Sequence, residues 1–254
     1  MSLNQDNQNA VNVLNGQGRS EIVLVCEHAS PDIPNGMNDL GLSSAARHSH
    51  VAWDPGALAV AEGMSHALDA VLVASTVSRL VYDCNRPPDA PDAIPTQSEA
   101  YSVPGNRNLS AEDKAARVAS VYIKFRDTLR SEIVRRDKPI IVTLHSFTPV
   151  YNGKSRDVEI GILHDSDMRL ADAMLQIPQN YDVRRNAPYG PDDGVTHTLK
   201  EQALKFGHLN VMIEVRNDLI ATEASQSAMA LTLAGWVTQA LQGMGSNVEN
   251  AIRN

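Results

Sequence analysis

A chain of 254 residues, 43% of them hydrophobic, has enough apolar material for one large globular domain or two small ones. A formal charge of -8, with no Lys/Arg cluster interleaved with aromatics, argues against nucleic acid, and a small anionic ligand would need a local basic pocket. No run of about 18 apolar residues exists to cross a membrane, and the two cysteines, Cys26 and Cys84, sit in apolar runs as expected of buried free thiols in a reducing compartment, the cytoplasm.

In chain order, residues 1–20 are polar and Asn/Gln-rich without an apolar signal core, and read as a flexible tail before a single domain over 21–254. "EIVLVC" (Glu21–Cys26) is the first predicted strand. Asp54-Pro55 reads as an N-cap and first-turn proline for a helix through "GALAVAEGMSHAL". Strands follow over Ala70–Ser75 and Arg79–Cys84. The segment Asn85–Leu109 carries five prolines, which keep it out of helix and central strand, and an irregular stretch of this length in a compact domain suggests function. Ser110 and Asp113 stand in capping-box register at the start of a long amphipathic helix. Strands are predicted over Ile140–His145, Val158–Leu163 and Asn210–Val215, and helices around Ser166–Leu175, Thr196–Phe206 and Glu223–Leu241. Continuous apolar strands alternating with helices predict an α/β three-layer sandwich around a mostly parallel, mixed sheet.

Ligands of open α/β sheets bind beyond the carboxyl ends of the strands, and chemistry-bearing residues collect there. Glu27-His28 follows the first strand, Asp83-Cys84-Asn85-Arg86 ends the third, His145-Ser146 ends the strand from Ile140, and Glu214-Val215-Arg216 ends the last. Two histidines with a carboxylate form a ligand set for catalytic zinc, which polarises a carbonyl and acidifies a water. A further carboxylate suits a general base, and Arg beside Asn suits capture of a substrate carboxylate. Each residue alone has a plainer reading: a strand-end histidine is more often structural, Asp54 caps a helix, and Arg216 pairs with Asp218. The co-location of four clusters favours chemistry. Ser146 lacks a G-x-S-x-G elbow, so a serine hydrolase is disfavoured. His48, His50, His66, His164, His197 and His208 are assigned structural or solvent roles.

"CEHAS", "AWDPGAL", "YDCNRPPD", "TLHSFTP" and "IEVRNDLI", in this order from about Glu21 to Ile220, resemble the N-formylglutamate amidohydrolase family. More distantly, they are similar to zinc carboxypeptidases and to the aspartoacylase/succinylglutamate desuccinylase group. The resemblance implies a phosphorylase/hydrolase-like fold and zinc-dependent hydrolysis of a small anionic N-acyl amino acid, N-formyl-L-glutamate first. It implies His28 and His145 as zinc ligands, Asn85 and Arg86 as the carboxylate grip, and Glu214 as the group that activates water; Arg156 or Arg216 is expected to assist in binding the carboxylates of a dianionic substrate. The carboxypeptidase pattern has a glutamate ligand three residues after the first histidine, where this chain has Pro31. Asp54, Asp32 and Glu27 are the alternatives, and Asp54 is preferred for its place in the "AWDPGAL" motif. A zinc peptidase or amidase on another substrate, and a non-catalytic binder of a small acid, are the competing readings.

Overall fold

The structure is a computed structural model that describes residues 9–178 and 180–245. Its strands are β1 (Val11–Leu14), β2 (Ile22–Cys26), β3 (Val71–Ser75), β4 (Gln97–Ser98), β5 (Tyr101–Ser102), β6 (Ile140–Phe147), β7 (Val150–Tyr151), β8 (Lys154–Ser155), β9 (Ile160–Leu163), β10 (Val183–Arg185) and β11 (Leu209–Arg216). Its α-helices are α1 (Ser44–Arg47), α2 (Ala57–Leu68), α3 (Ala111–Arg117), α4 (Lys124–Ile133), α5 (Arg169–Leu175), α6 (His197–Gln202) and α7 (Glu223–Gly243). Seven strands form one sheet in the order β1-β3-β2-β6-β11-β9-β10. β3, β2, β6 and β11 run parallel, whereas β1 and β9 pair antiparallel to β3 and β11, so the sheet is mixed and mostly parallel.

Both faces of the sheet are covered, as the unbroken apolar strands require. Successive residues point to opposite faces. Ile22, Leu24 and Cys26 pack with Met64, Leu233 and Val237 of α2 and α7. Val23 and Val25 pack with Phe125, Leu129 and Ile133 of α4. The expected α/β sandwich is therefore present, with a hydrophobic layer on each side.

Four expectations are corrected. Residues 1–8 of the expected tail lie outside the described residues, but Val11–Leu14 is an edge strand of the sheet, paired to Leu72–Ser75. A short edge strand with one buried valine leaves little apolar pattern to read. Arg79–Cys84 is not a strand: Arg79 and Val81 make turn and loop hydrogen bonds to Ala52 and Ser78, and the apolar run is explained by burial of Leu80, Val81 and Tyr82 in the second core. Asp54 does not cap α2. Gly56 takes that place at φ +82°, where an added Cβ would lie 2.6 Å from the Ile220 carbonyl oxygen, so only glycine fits. The helix from Ser110, whose capping box is present, is interrupted by a π-helical turn over Val118–Ile123 between α3 and α4.

Candidate active site

The parallel strands β2, β6 and β11 lie side by side, and their carboxyl ends carry the site. His145 and Glu214 are direct register partners on β6 and β11, and Glu27-His28 immediately follows β2. Asp54 comes from the turn before α2, tied to His28 by its backbone N–H, which donates to the His28 carbonyl at 2.9 Å. Once Gly56 turns the chain, the Asp54 carboxylate faces the strand ends. His28, Asp54, His145 and Glu214 are all buried, and all four line one cavity of about 330 Å³.

Both imidazoles turn Nδ1 toward the same point. Asp54 Oδ2 lies 2.9 Å from His145 Nδ1 and 3.3 Å from His28 Nδ1, and the two Nδ1 atoms are 3.1 Å apart. Ligand atoms sharing a tetrahedral zinc ion stand about 3.4 Å apart at ordinary zinc–ligand distances, so these three atoms suit one ion. Each Nε2 faces a second buried carboxylate: His28 Nε2 is 2.7 Å from Asp83 Oδ1, and His145 Nε2 is 3.2 Å from Glu27 Oε2. At His28 that outer hydrogen bond favours the proton on Nε2 and the Nδ1 lone pair toward an ion, while His145 Nε2 stands at ion-pair distance from Glu27 without a hydrogen bond. Asp83 is held in turn by Arg79, at 2.7 Å, and by the backbone N–H of Asn85.

The electrostatics agree. Burial opposes ionisation of Asp54 and Asp83, but His28, with His145 at Asp54 and Arg79 at Asp83, lowers both below the usual carboxylate range. Burial likewise opposes Glu27, and His145 outweighs it. Three ionised carboxylates against the Arg79 guanidinium leave about two negative charges, which two imidazolium protons or one divalent cation would balance. Burial disfavours imidazolium, but Glu27 and Asp54 hold the His145 pKa well above its ordinary value, and Asp83 and Asp54 raise that of His28.

Glu214 differs from the other acids. Burial, reinforced by the Asp54 charge and opposed by His145, His28 and Arg79, raises its pKa to about 7, and its Oε2 is buried without a hydrogen-bond partner. An orphaned carboxylate oxygen in a cavity beside a ligand set marks a proton-transfer position. The backbone opposite makes room for this ladder: a Cβ on Gly161, the β9 partner of Glu214, would sit 2.1 Å from the Ala187 carbonyl oxygen.

The expected substrate arginines divide. Arg86 lines the cavity, but it is bound to Asp92 at 2.7 Å and to the carbonyls of Asn85, Asp193 and Gly194. Asn85 also lines it, with its amide donating to the Val195 carbonyl and its carbonyl accepting from Thr198. The pair thus pins the 193–198 segment to the cavity wall. Arg156 stands behind the wall among Phe147, Tyr151 and Tyr189. Arg216 pairs with Asp218 at 2.8 Å and with backbone carbonyls of Arg156 and Asp157, and it is not among the residues that line the cavity. Ser146 donates to the Pro55 carbonyl and is no nucleophile paired to His145. Arg79 belongs to the site, with its guanidinium 3.5 Å from Asp54 Oδ1. In the sequence it stands four residues before Asp83, inside the segment read as a strand. His50 and Glu99, 2.7 Å apart, also line the cavity, Glu99 from the tight turn of the β4–β5 hairpin. Burial pushes both cysteine thiols up, which leaves them unreactive.

Among the described residues no helix is long and apolar enough to cross a membrane. No curated protein matches the chain. Solved structures do match it. The gene product Atu2144 of Agrobacterium tumefaciens is 52% identical, with a TM-score of 0.92 over 93% of this chain and 96% of that one. An N-formylglutamate amidohydrolase from Ralstonia eutropha JMP134 is 17% identical, with a TM-score of 0.57 over 91% of this chain and 99% of that one, a likeness of fold. The sequence profile of N-formylglutamate amidohydrolases matches residues 20–221, a span that holds every residue of the site. The chain belongs to the N-formylglutamate amidohydrolase family.

Proposed function

We propose that the protein is a zinc-dependent amidohydrolase that cleaves the amide of a small anionic N-acyl amino acid, with N-formyl-L-glutamate as the leading substrate and glutamate and formate as products. One observation carries this reading: two imidazole Nδ1 atoms and Asp54 Oδ2 converge in the cavity that also holds the unpartnered Glu214 Oε2. Membership of an amidohydrolase family supports the reaction class. His28, Asp54 and His145 would hold the metal. Bound there, a divalent ion supplies Lewis acidity to the acyl oxygen and to a water.

The chain's own residues do the rest. Glu214 takes the proton of the attacking water at Oε2 and delivers it to the nitrogen of the leaving amine as the C–N bond breaks. A pKa raised to about 7 suits both halves of that transfer. Arg79 sets a guanidinium beside the ligand set, where negative charge develops on the acyl oxygen. Asn85 and Arg86 hold the 193–198 wall, and Arg86 adds positive charge to the cavity. The buried free thiols support the cytoplasm as the compartment.

Metal content and turnover of N-formyl-L-glutamate, measured before and after chelation, test the proposal. Turnover should vanish with the metal and return with added zinc. Full activity after thorough chelation overturns it.

A further inference from the structure

An anionic substrate needs a cation or a strong donor that the protein has not already engaged, and the arginines lining the cavity do not supply one. Arg79 is bound to Asp83 and Arg86 to Asp92. Arg156 is different. It makes no ion pair with a carboxylate among the described residues. Its guanidinium lies 4.4 Å from the ring centre of Tyr151, 4.9 Å from that of Tyr189 and 5.6 Å from that of Phe147. All three rings line the cavity.

The polar contacts of Arg156 give this clamp a direction. It donates to the Thr148 carbonyl and, at 2.9 Å, to the Tyr189 hydroxyl. A hydroxyl that accepts one bond turns its own proton elsewhere. Among the described residues no protein acceptor stands within reach of that proton. Tyr189 shares the cavity lining with Glu214 and Arg79, so the free O–H belongs to the wall of the reacting centre. A phenol bonded to a guanidinium is a stronger donor than a phenol alone.

We infer that Tyr189 and Arg156 form the carboxylate-recognition subsite of the cavity: the Tyr189 hydroxyl donates to a substrate carboxylate, and Arg156 positions and polarises that hydroxyl from behind without touching the substrate. This rests on the hydrolase reading for the identity of the ligand. It moves carboxylate recognition from the Asn85–Arg86 pair, which braces the wall, to the aromatic residues of the lining. The plainer alternative makes Arg156 a brace for the β7–β8 hairpin, with no stake in the ligand's charge.

Two measurements separate these. The first is kcat and KM of the zinc-loaded enzyme for N-formyl-L-glutamate and for its two mono-amides, N-formyl-L-glutamine and the α-amide. Tyr189→Phe should raise KM for the diacid about tenfold, the value of one charge-assisted hydrogen bond, with kcat within about twofold. For the amide that lacks the recognised carboxylate, KM should stay within about twofold. Arg156→Met should reproduce this pattern, and the double variant should be no worse than Tyr189→Phe alone. Equal sensitivity of all three substrates, or additive losses, overturns the subsite. The second is calorimetric binding of glutarate, which has no amide to cleave. Wild type should bind it about tenfold more tightly than either variant, and equal binding overturns the subsite. Glutarate binding with this pattern in a protein that turns over no N-acyl amino acid would leave the subsite standing and overturn the hydrolase reading instead.

Discussion

Individual side chains in this site are specified by what stands behind them. Glu214 is buried beside Asp54 with one oxygen unpartnered, so it is the group able to exchange a proton near neutrality. Glu214→Gln keeps the volume and removes the base. Its kcat should fall about a hundredfold or more while one metal per chain is retained by elemental analysis; a near-normal rate removes Glu214 from its role. Glu27 acts one layer out, on His145 Nε2. Glu27→Gln can still accept from that nitrogen but loses the charge that makes the imidazole a better ligand. Zinc affinity, read by competition with a chromophoric chelator, should drop about tenfold. Unchanged affinity would reduce Glu27 to packing.

At the scale of elements, the site depends on two backbone positions with no room for a side chain. Gly56 sets the Asp54 turn against Ile220, at the start of α2. Gly161 lets β9 pass the Ala187 carbonyl while pairing with Glu214 on β11. Alanine at either position forces backbone to move, and Gly56→Ala also meets its positive φ. Each should cost about 2 kcal/mol or more, seen as a fall of several degrees in thermal midpoint. Zinc affinity should suffer more in Gly56→Ala, because that turn carries a ligand. Equal midpoints to wild type would mean that the neighbouring loops yield freely.

Across the molecule, metal and protons compete for the same buried charge. The imidazoles of His28 and His145 have raised pKa values, so without metal their ion pairs stabilise the fold fully below about 6.5, the ordinary histidine value, and that contribution is lost as pH rises through the raised values. Asp54 and Asp83, with lowered pKa values, contribute above the ordinary aspartate value of about 3.9 and lose that contribution as pH falls through the lowered ones. Zinc binds only the unprotonated imidazoles, so its affinity should rise with pH. The gap in thermal midpoint between zinc-loaded and metal-free protein should therefore widen from pH 6 to pH 8. A gap that is constant or shrinks with pH would contradict a site built on these histidines.

By itself the sequence determined five of the sheet's strands and which residue types stand at its rim. The apolar runs of β2, β3, β6, β9 and β11 read as strands because both of their faces are buried, and burial is written in composition. His28, His145 and Glu214 were legible because strand ends are fixed by the strands before them. Asp54 was legible only as one of three carboxylates. The tertiary structure decided that its carboxylate meets the two Nδ1 atoms, because Gly56 packs against Ile220, more than 160 residues away. It also removed Arg216 from the cavity and brought in Arg79, Glu99 and Tyr189. A long side chain's target depends on which neighbours reach it first, and those neighbours come from segments distant in the chain. Composition carries burial; only the packed fold assigns partners.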